Sequence, residues 1–208
     1  MGSAALVVVD VQNDFCAGGA LAVPDGDAVV GPINALMPRF PLVVATQDWH
    51  PPGHASFASA HPDRKPLEVI DLDGIQQVLW PDHCVQGTRG ADLHPALDRR
   101  PFRAIVRKGT DPGVDSYSAF RDNHRAHPTG LASLLRELGA GRLIIVGLTT
   151  DYCAANSARD AVELGFAAEI WLPATRPVGA PPGHTERTLA ELRALGVVLR
   201  EDLPEVHS

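Results

Sequence analysis

Three side chains able to do acyl-transfer chemistry stand at or just beyond the ends of apolar runs: Asp10 after Leu6–Val9, Lys108 after Ala104–Val106, and Cys153 after Leu143–Val146. A cysteine nucleophile needs a base within hydrogen-bond reach, and a carboxylate on a neighbouring strand supplies one. A lysine beside that carboxylate would keep it ionised and oriented. Cys153 falls in the first turn of a helix expected over Asp151–Leu164, where unpaired amides and the positive end of the dipole favour thiolate over thiol. A second group is Asp48-Trp49-His50, with a further imidazole from His54 or His83. Two imidazoles and a carboxylate suit zinc, or iron(II) or manganese(II), with positions left for water or substrate. Singly, each residue has a plainer reading: Asp10 caps a turn, Lys108 is a solvated strand end, Cys153 is a small buried apolar residue. Their joint placement favours a site.

These residues can meet only if neighbouring elements carry them. Apolar runs recur at Leu6–Val9, Leu42–Thr46, Ala104–Val106, Leu143–Val146, Glu169–Leu172 and Val197–Arg200. Most are apolar at consecutive positions, as strands buried on both faces are. Helical patterns alternate with them at Ala28–Phe40, Thr129–Leu138, Asp151–Leu164 and Thr185–Leu195. The predicted class is α/β, a six-stranded, mainly parallel sheet sandwiched between helices in three layers. Ligands of such sheets bind outside the carboxyl ends of the strands. Asp10, Gln47 to His50, Arg107 to Gly109 and Gly147 to Cys153 all fall there. The Pro-, His- and Asp-rich stretch at about 47–101 is far longer than an ordinary connection, and is read as a metal- and substrate-binding loop region within a single domain over 1–208.

Composition narrows the partners. The chain has 208 residues, 45% of them hydrophobic, enough for one core. Its net charge of −7 argues against a nucleic-acid partner. The apolar stretch Ala4–Val9 is too short for a signal segment or a membrane span. Three cysteines, Cys16, Cys84 and Cys153, form no C-x-x-C pair, which speaks against a disulfide scaffold or zinc ribbon and fits a reducing, cytoplasmic setting. A small-molecule partner is expected; self-association into a homo-oligomer stays open.

The motifs as ordered strings are more specific. Val7-Val8-Val9-Asp10-Val11-Gln12-Asn13-Asp14-Phe15-Cys16, Thr46-Gln47-Asp48-Trp49-His50-Pro51-Pro52 with His54 and Ser56-Phe57, and Trp80-Pro81-Asp82-His83-Cys84-Val85-Gln86-Gly87-Thr88 are followed by Lys108-Gly109-Thr110-Asp111, by Asp115-Ser116-Tyr117-Ser118-Ala119-Phe120 and by Gly147 to Cys153. Together they resemble the nicotinamidase/pyrazinamidase branch of the isochorismatase-like cysteine hydrolases. Metal-free relatives in that superfamily lack the Asp48, His50 and His83 set.

The resemblance implies a three-layer αβα fold and hydrolysis of nicotinamide to nicotinate and ammonia, commonly with pyrazinamide as well. Asp10, Lys108 and Cys153 would be the catalytic triad. Asp48, His50 and His83 would hold a divalent ion, zinc before iron(II) or manganese(II), with His54 a fourth ligand in some members. The backbone amides of Thr149 and Cys153 would form the oxyanion hole, and Phe15, Trp80, Tyr117 and Tyr152 would wall the ring. A cis peptide between Leu148 and Thr149 is implied too. Other readings are a carbamoylsarcosine or ureidoacrylate type of amide hydrolase, a non-catalytic metal-binding module, or a redox-sensing thiol protein. His61, His94, His124, His127, His184 and His207 are expected at solvated or turn positions, and Cys16 and Cys84 in packing beside the site.

Overall fold

Eight strands form in the computed structural model, which describes residues 2–206; His207 lies outside them. They are β1 (Ser3–Val9), β2 (Leu42–Asp48), β3 (Val69–Leu72), β4 (Ile75–Val78), β5 (Phe102–Lys108), β6 (Ala140–Leu148), β7 (Ala167–Arg176) and β8 (Val198–Arg200). Six of them make one sheet in the order β5-β2-β1-β6-β7-β8, and every pairing in it is parallel. Helix α1 (Val30–Leu36) covers one face; α2 (Leu131–Glu137), α3 (Ala155–Glu163) and α4 (His184–Ala194) cover the other. The continuous apolar run of β1 follows from this. Leu6 and Val8 pack with Ile33 and Leu36 on one side, while Val7 and Val9 pack with Leu131, Leu135 and Ala158 on the other.

The sheet winds outward from β1, with β2 and β5 on one side and β6, β7 and β8 on the other. That reversal of winding opens a crevice at the carboxyl end of β1, the position of Asp10. Register makes the ends flush: Val9 lies opposite Gly147, and Asp48 opposite Lys108. Gly147 has φ +104°, and a Cβ there would lie 2.0 Å from the Val9 carbonyl oxygen, so only glycine lets β6 sit this close to β1.

Several expected elements differ. The run Ala104–Val106 lies in the edge strand β5, where Arg103, Ile105 and Arg107 face outward, rather than in a strand buried on both faces. The arginines protect an otherwise open edge. The helix expected over Ala28–Phe40 is reduced to α1 between 3₁₀ turns at Gly26–Val29 and Met37–Arg39. Pro38 has no amide hydrogen with which to continue it. Helix α3 starts at Ala155, after a wider π-type turn over Thr150–Ala154, so Cys153 sits in that turn rather than in an α-helical one. Within the long loop region, β3 and β4 form an unforeseen antiparallel hairpin. Its Asp73-Gly74 turn, with both residues at positive φ, is the dipeptide signal for such a hairpin.

Candidate active site

The carboxyl ends of four adjacent strands bring together the residues singled out for chemistry. Lys108, wholly buried at the end of β5, places its Nζ 2.9 Å from Asp10 Oδ2 and 3.0 Å from Asp48 Oδ1. The same ammonium donates to the Ser116 carbonyl at 2.7 Å and lies 3.5 Å from Cys153 Sγ. Thr46 Oγ1 donates to Asp10 Oδ1 at 2.6 Å and accepts the Asp10 amide, which fixes the carboxylate. Gln12 does the same for the end of β2, its Nε2 donating to the Asp48 carbonyl and its Oε1 accepting the Asp48 amide.

Burial raises the Asp10 carboxyl above the ordinary carboxylate range, against the opposing pull of the Lys108 charge. Burial also pushes the Cys153 thiol well up; Lys108 opposes the shift, while Asp10, Asp48 and Asp115 add to it. The expectation that a helix terminus would favour the thiolate is thereby corrected. Burial and the nearby carboxylates favour the thiol over the thiolate, so a local base is needed to take its proton. Lys108 stays charged despite burial because Asp10 and Asp48 both face it.

Next to this group, Asp48, His50 and His83 bring their ligand atoms within 4.8 Å of one another. Each imidazole has Nδ1 against a carbonyl, His50 against Gly109 at 3.0 Å and His83 against Pro81 at 2.8 Å. Carbonyls accept only, so the ring protons sit on Nδ1 and both Nε2 atoms are left for a cation. They approach the same Asp48 Oδ2, at 3.1 and 3.6 Å, while Asp48 Oδ1 is taken by Lys108. The donor set therefore fits a divalent metal. His54 lies tilted against His50, with ring centroids 4.3 Å apart. Its Nδ1 lies 2.8 Å from Ser56 Oγ and 3.1 Å from the Ser56 amide, and His54 is not one of the three residues whose ligand atoms converge.

Gly109 has φ +64°, and a Cβ on it would lie 2.5 Å from His50 Cε1 and 2.9 Å from Asp48 Oδ1. Gly109→Ala is expected to tilt His50 off its carbonyl and weaken metal binding by about 10–100-fold, measured by competition with a chromophoric chelator.

A small cavity opens onto both groups, lined by Cys153 and Thr149 as well as by Asp48 and His83. Phe15, Trp80, Tyr117 and Tyr152 all line it. Trp80 meets Tyr152 edge-on at 4.8 Å and donates from Nε1 to Tyr117 Oη at 3.2 Å. Trp49, by contrast, lies under the Arg107 guanidinium, 3.9 Å from the ring centroid, and is not among the lining residues. The peptide between Leu148 and Thr149 is cis.

Sequence reasoning missed four participants: Leu21, Asp115 and Val178 line the cavity, and Gln77 holds it. Gln77 Nε2 donates to Asp115 Oδ2 at 3.1 Å and to Tyr117 Oη at 2.9 Å from the unforeseen hairpin. The adjacency of Asp115 and Tyr117 was a usable signal; the polar Gln77 in a short strand was not. Two histidines also depart from the expected solvated role: His184 stacks on Tyr152 at 4.7 Å, and His94 faces Asp27 at 3.3 Å. Cys16 and Cys84 are buried.

Comparison with known proteins agrees with this geometry. The Isochorismatase domain family matches residues 4–198. The nicotinamidase of Escherichia coli (strain K12) is 46% identical over 199 residues, covering 94% of this chain and 93% of its own. The structure of an Acinetobacter baumanii nicotinamidase pyrazinamidase superposes with a TM-score of 0.93 at 44% identity, covering 96% of both chains. That of the Pyrococcus horikoshii pyrazinamidase in complex with zinc superposes at 0.78 with 34% identity, covering 96% of this chain and 99% of the other. A match that runs from β1 to β8, over a sheet whose strand ends carry the thiol, the lysine and both groups of carboxylates, makes this chain a member of the isochorismatase family.

Proposed function

We propose that the chain hydrolyses nicotinamide to nicotinate and ammonia, with pyrazinamide as a second substrate, through a thioester on Cys153. One observation carries this reading: one aromatic-walled cavity is lined both by the thiol and by the Asp48 and His83 donors. A flat heteroaromatic amide with a ring nitrogen has one group for each of these.

Asp10 accepts the Cys153 proton as Sγ adds to the carboxamide carbon. The amides of Thr149 and Cys153 stabilise the oxyanion, a contribution whose loss costs roughly 10²–10³ in rate. Asp10 returns the proton to nitrogen, the C–N bond breaks and ammonia leaves. A water then gives its proton to Asp10 and adds to the thioester carbon; the C–S bond breaks, and sulfur recovers the proton. Lys108 keeps Asp10 in place through both half-reactions. When held by Asp48, His50 and His83, a divalent ion supplies a binding position for the ring nitrogen, which fixes the carboxamide over the thiol; zinc is the ion proposed. Phe15, Trp80, Tyr117 and Tyr152 hold the ring plane.

The cytosol, where the three free cysteines stay reduced, is the proposed setting. Among the described residues no helix is long and apolar enough to cross a membrane. The direct test is ammonia release by metal-loaded protein from nicotinamide and pyrazinamide, set beside carbamoylsarcosine and ureidoacrylate. Nicotinamide is expected to be fastest; release from a ureido substrate alone would overturn the assignment.

A further inference from the structure

The residue two places before the nucleophile is a buried carboxylate that the reaction does not use. Asp151 is 2% exposed. Its Oδ1 accepts the amide of Val178 at 2.9 Å, and its Oδ2 accepts the amide of Gly179 and the hydroxyl of Thr185, each at 2.9 Å. All three donors lie on one strap, the stretch 177–185 that leaves β7 and enters α4. The neighbouring Tyr152 donates from its hydroxyl to the Ala180 carbonyl at 2.8 Å, and its ring rests on His184. The strap is thus pinned by the two residues that immediately precede Cys153.

The strap also forms part of the substrate cavity. Val178 lines it and packs on the core cluster beneath β1 and α1, as does Leu21 from the loop after β1. Leu21, Val178 and Tyr117 are partly exposed, whereas Phe15, Trp80, Tyr152, Thr149 and Cys153 are buried, so Val178 is one of the three lining residues at the rim of the cavity. Whatever fixes Val178 fixes one side of that rim.

We propose that Asp151 is a positioning residue that locks the 177–185 strap to the nucleophile turn, and that the locked strap, through Val178, excludes heteroaromatic amides carrying extra ring substituents. The second half rests on the proposed nicotinamide reading; the first does not. Carboxylate-to-amide bonds are stronger than neutral ones, and a carboxylate can accept from three donors at once. An asparagine keeps the shape but turns an NH₂ group toward an amide donor.

The test uses the metal-loaded full chain. In Asp151→Asn, hydrogen exchange at the Val178 and Gly179 amides is expected to quicken at least about tenfold. KM for nicotinamide should rise about tenfold with kcat within about threefold, since the loosened part is the wall rather than the thiol. Val178→Ala is expected to raise kcat/KM for ring-methylated nicotinamides, relative to nicotinamide, by about tenfold or more, the worth of a methyl-sized difference in an apolar pocket. Unchanged exchange in Asp151→Asn, or a fall in kcat with KM unchanged, overturns the positioning role. An unaltered substituent profile in Val178→Ala overturns the specificity role. If Asp151→Asn does not fold, Thr185→Val removes one of the three donors, and faster exchange at Gly179 decides the same question. If the native chain releases no ammonia from nicotinamide, the proposed function fails, and the exchange result still decides the clamp.

Discussion

Cys153→Ala is expected to reduce ammonia release from nicotinamide by roughly 10⁴-fold or more while leaving bound metal at the native stoichiometry. The nucleophile carries the whole covalent route, and catalytic groups that act as a unit fail together when one is removed. Metal retention follows because Asp48, His50 and His83 are held by Gln12, Gly109 and Pro81, none of which depends on the thiol. Steady-state kinetics paired with elemental analysis checks both halves, and native-level turnover in the variant would sink the assignment. The raised thiol adds a pH arm. In metal-depleted protein, alkylation of Cys153 by iodoacetamide should still be accelerating at pH 9, because burial and the facing carboxylates move its titration above the ordinary thiol value of 9.0. A plateau near pH 7 would restore the thiolate picture.

His83→Ala is expected to empty the metal site and cut kcat/KM by about 10²-fold or more, the scale of losing precise substrate placement. His83 is one of two imidazoles facing Asp48 Oδ2, and without it the remaining pair is an ordinary buried His–Asp contact. The loss of affinity should exceed the roughly 10–100-fold typical of removing an outer hydrogen-bond partner. Dialysis against chelator followed by metal titration measures it directly. Partial recovery at high metal concentration is expected; full activity in metal-free native protein would remove the positioning role of the ion.

The site was more legible in the sequence than the elements around it. Asp10, Asp48, Lys108 and Cys153 could be found because a parallel sheet buried on both faces leaves its polar residues at the strand ends, and each follows an apolar run. The same logic failed for β5, since Ala104–Val106 looks the same at an edge as in the centre; only pairing order tells them apart. The π-type turn was invisible because its sequence differs in nothing obvious from a helix start, and the thiol's titration depends on burial that no local pattern encodes. The roles of Val178 and Gln77 arise from hydrogen bonds across 27 and 40 positions, with Asp151 and Tyr117, and spacing in the chain carries no trace of them. That His83 rather than His54 converges with Asp48 and His50 follows from how the long loop region folds back on β2, which spacing does not encode.

The shared ammonium of Lys108 has a consequence for charge balance. Asp10, Asp48 and Asp115 are buried carboxylates and Lys108 is the buried cation among them. Counted at their ordinary formal charges, these four groups leave two negative charges in excess. A dication restores neutrality, whereas a monovalent ion leaves a deficit and a trivalent ion a surplus, each costly where water is scarce. Neutrality also constrains the chemistry: a proton passed from sulfur to Asp10 leaves the total unchanged, so the enclosure can run the reaction by moving protons inside itself without exchanging charge with solvent.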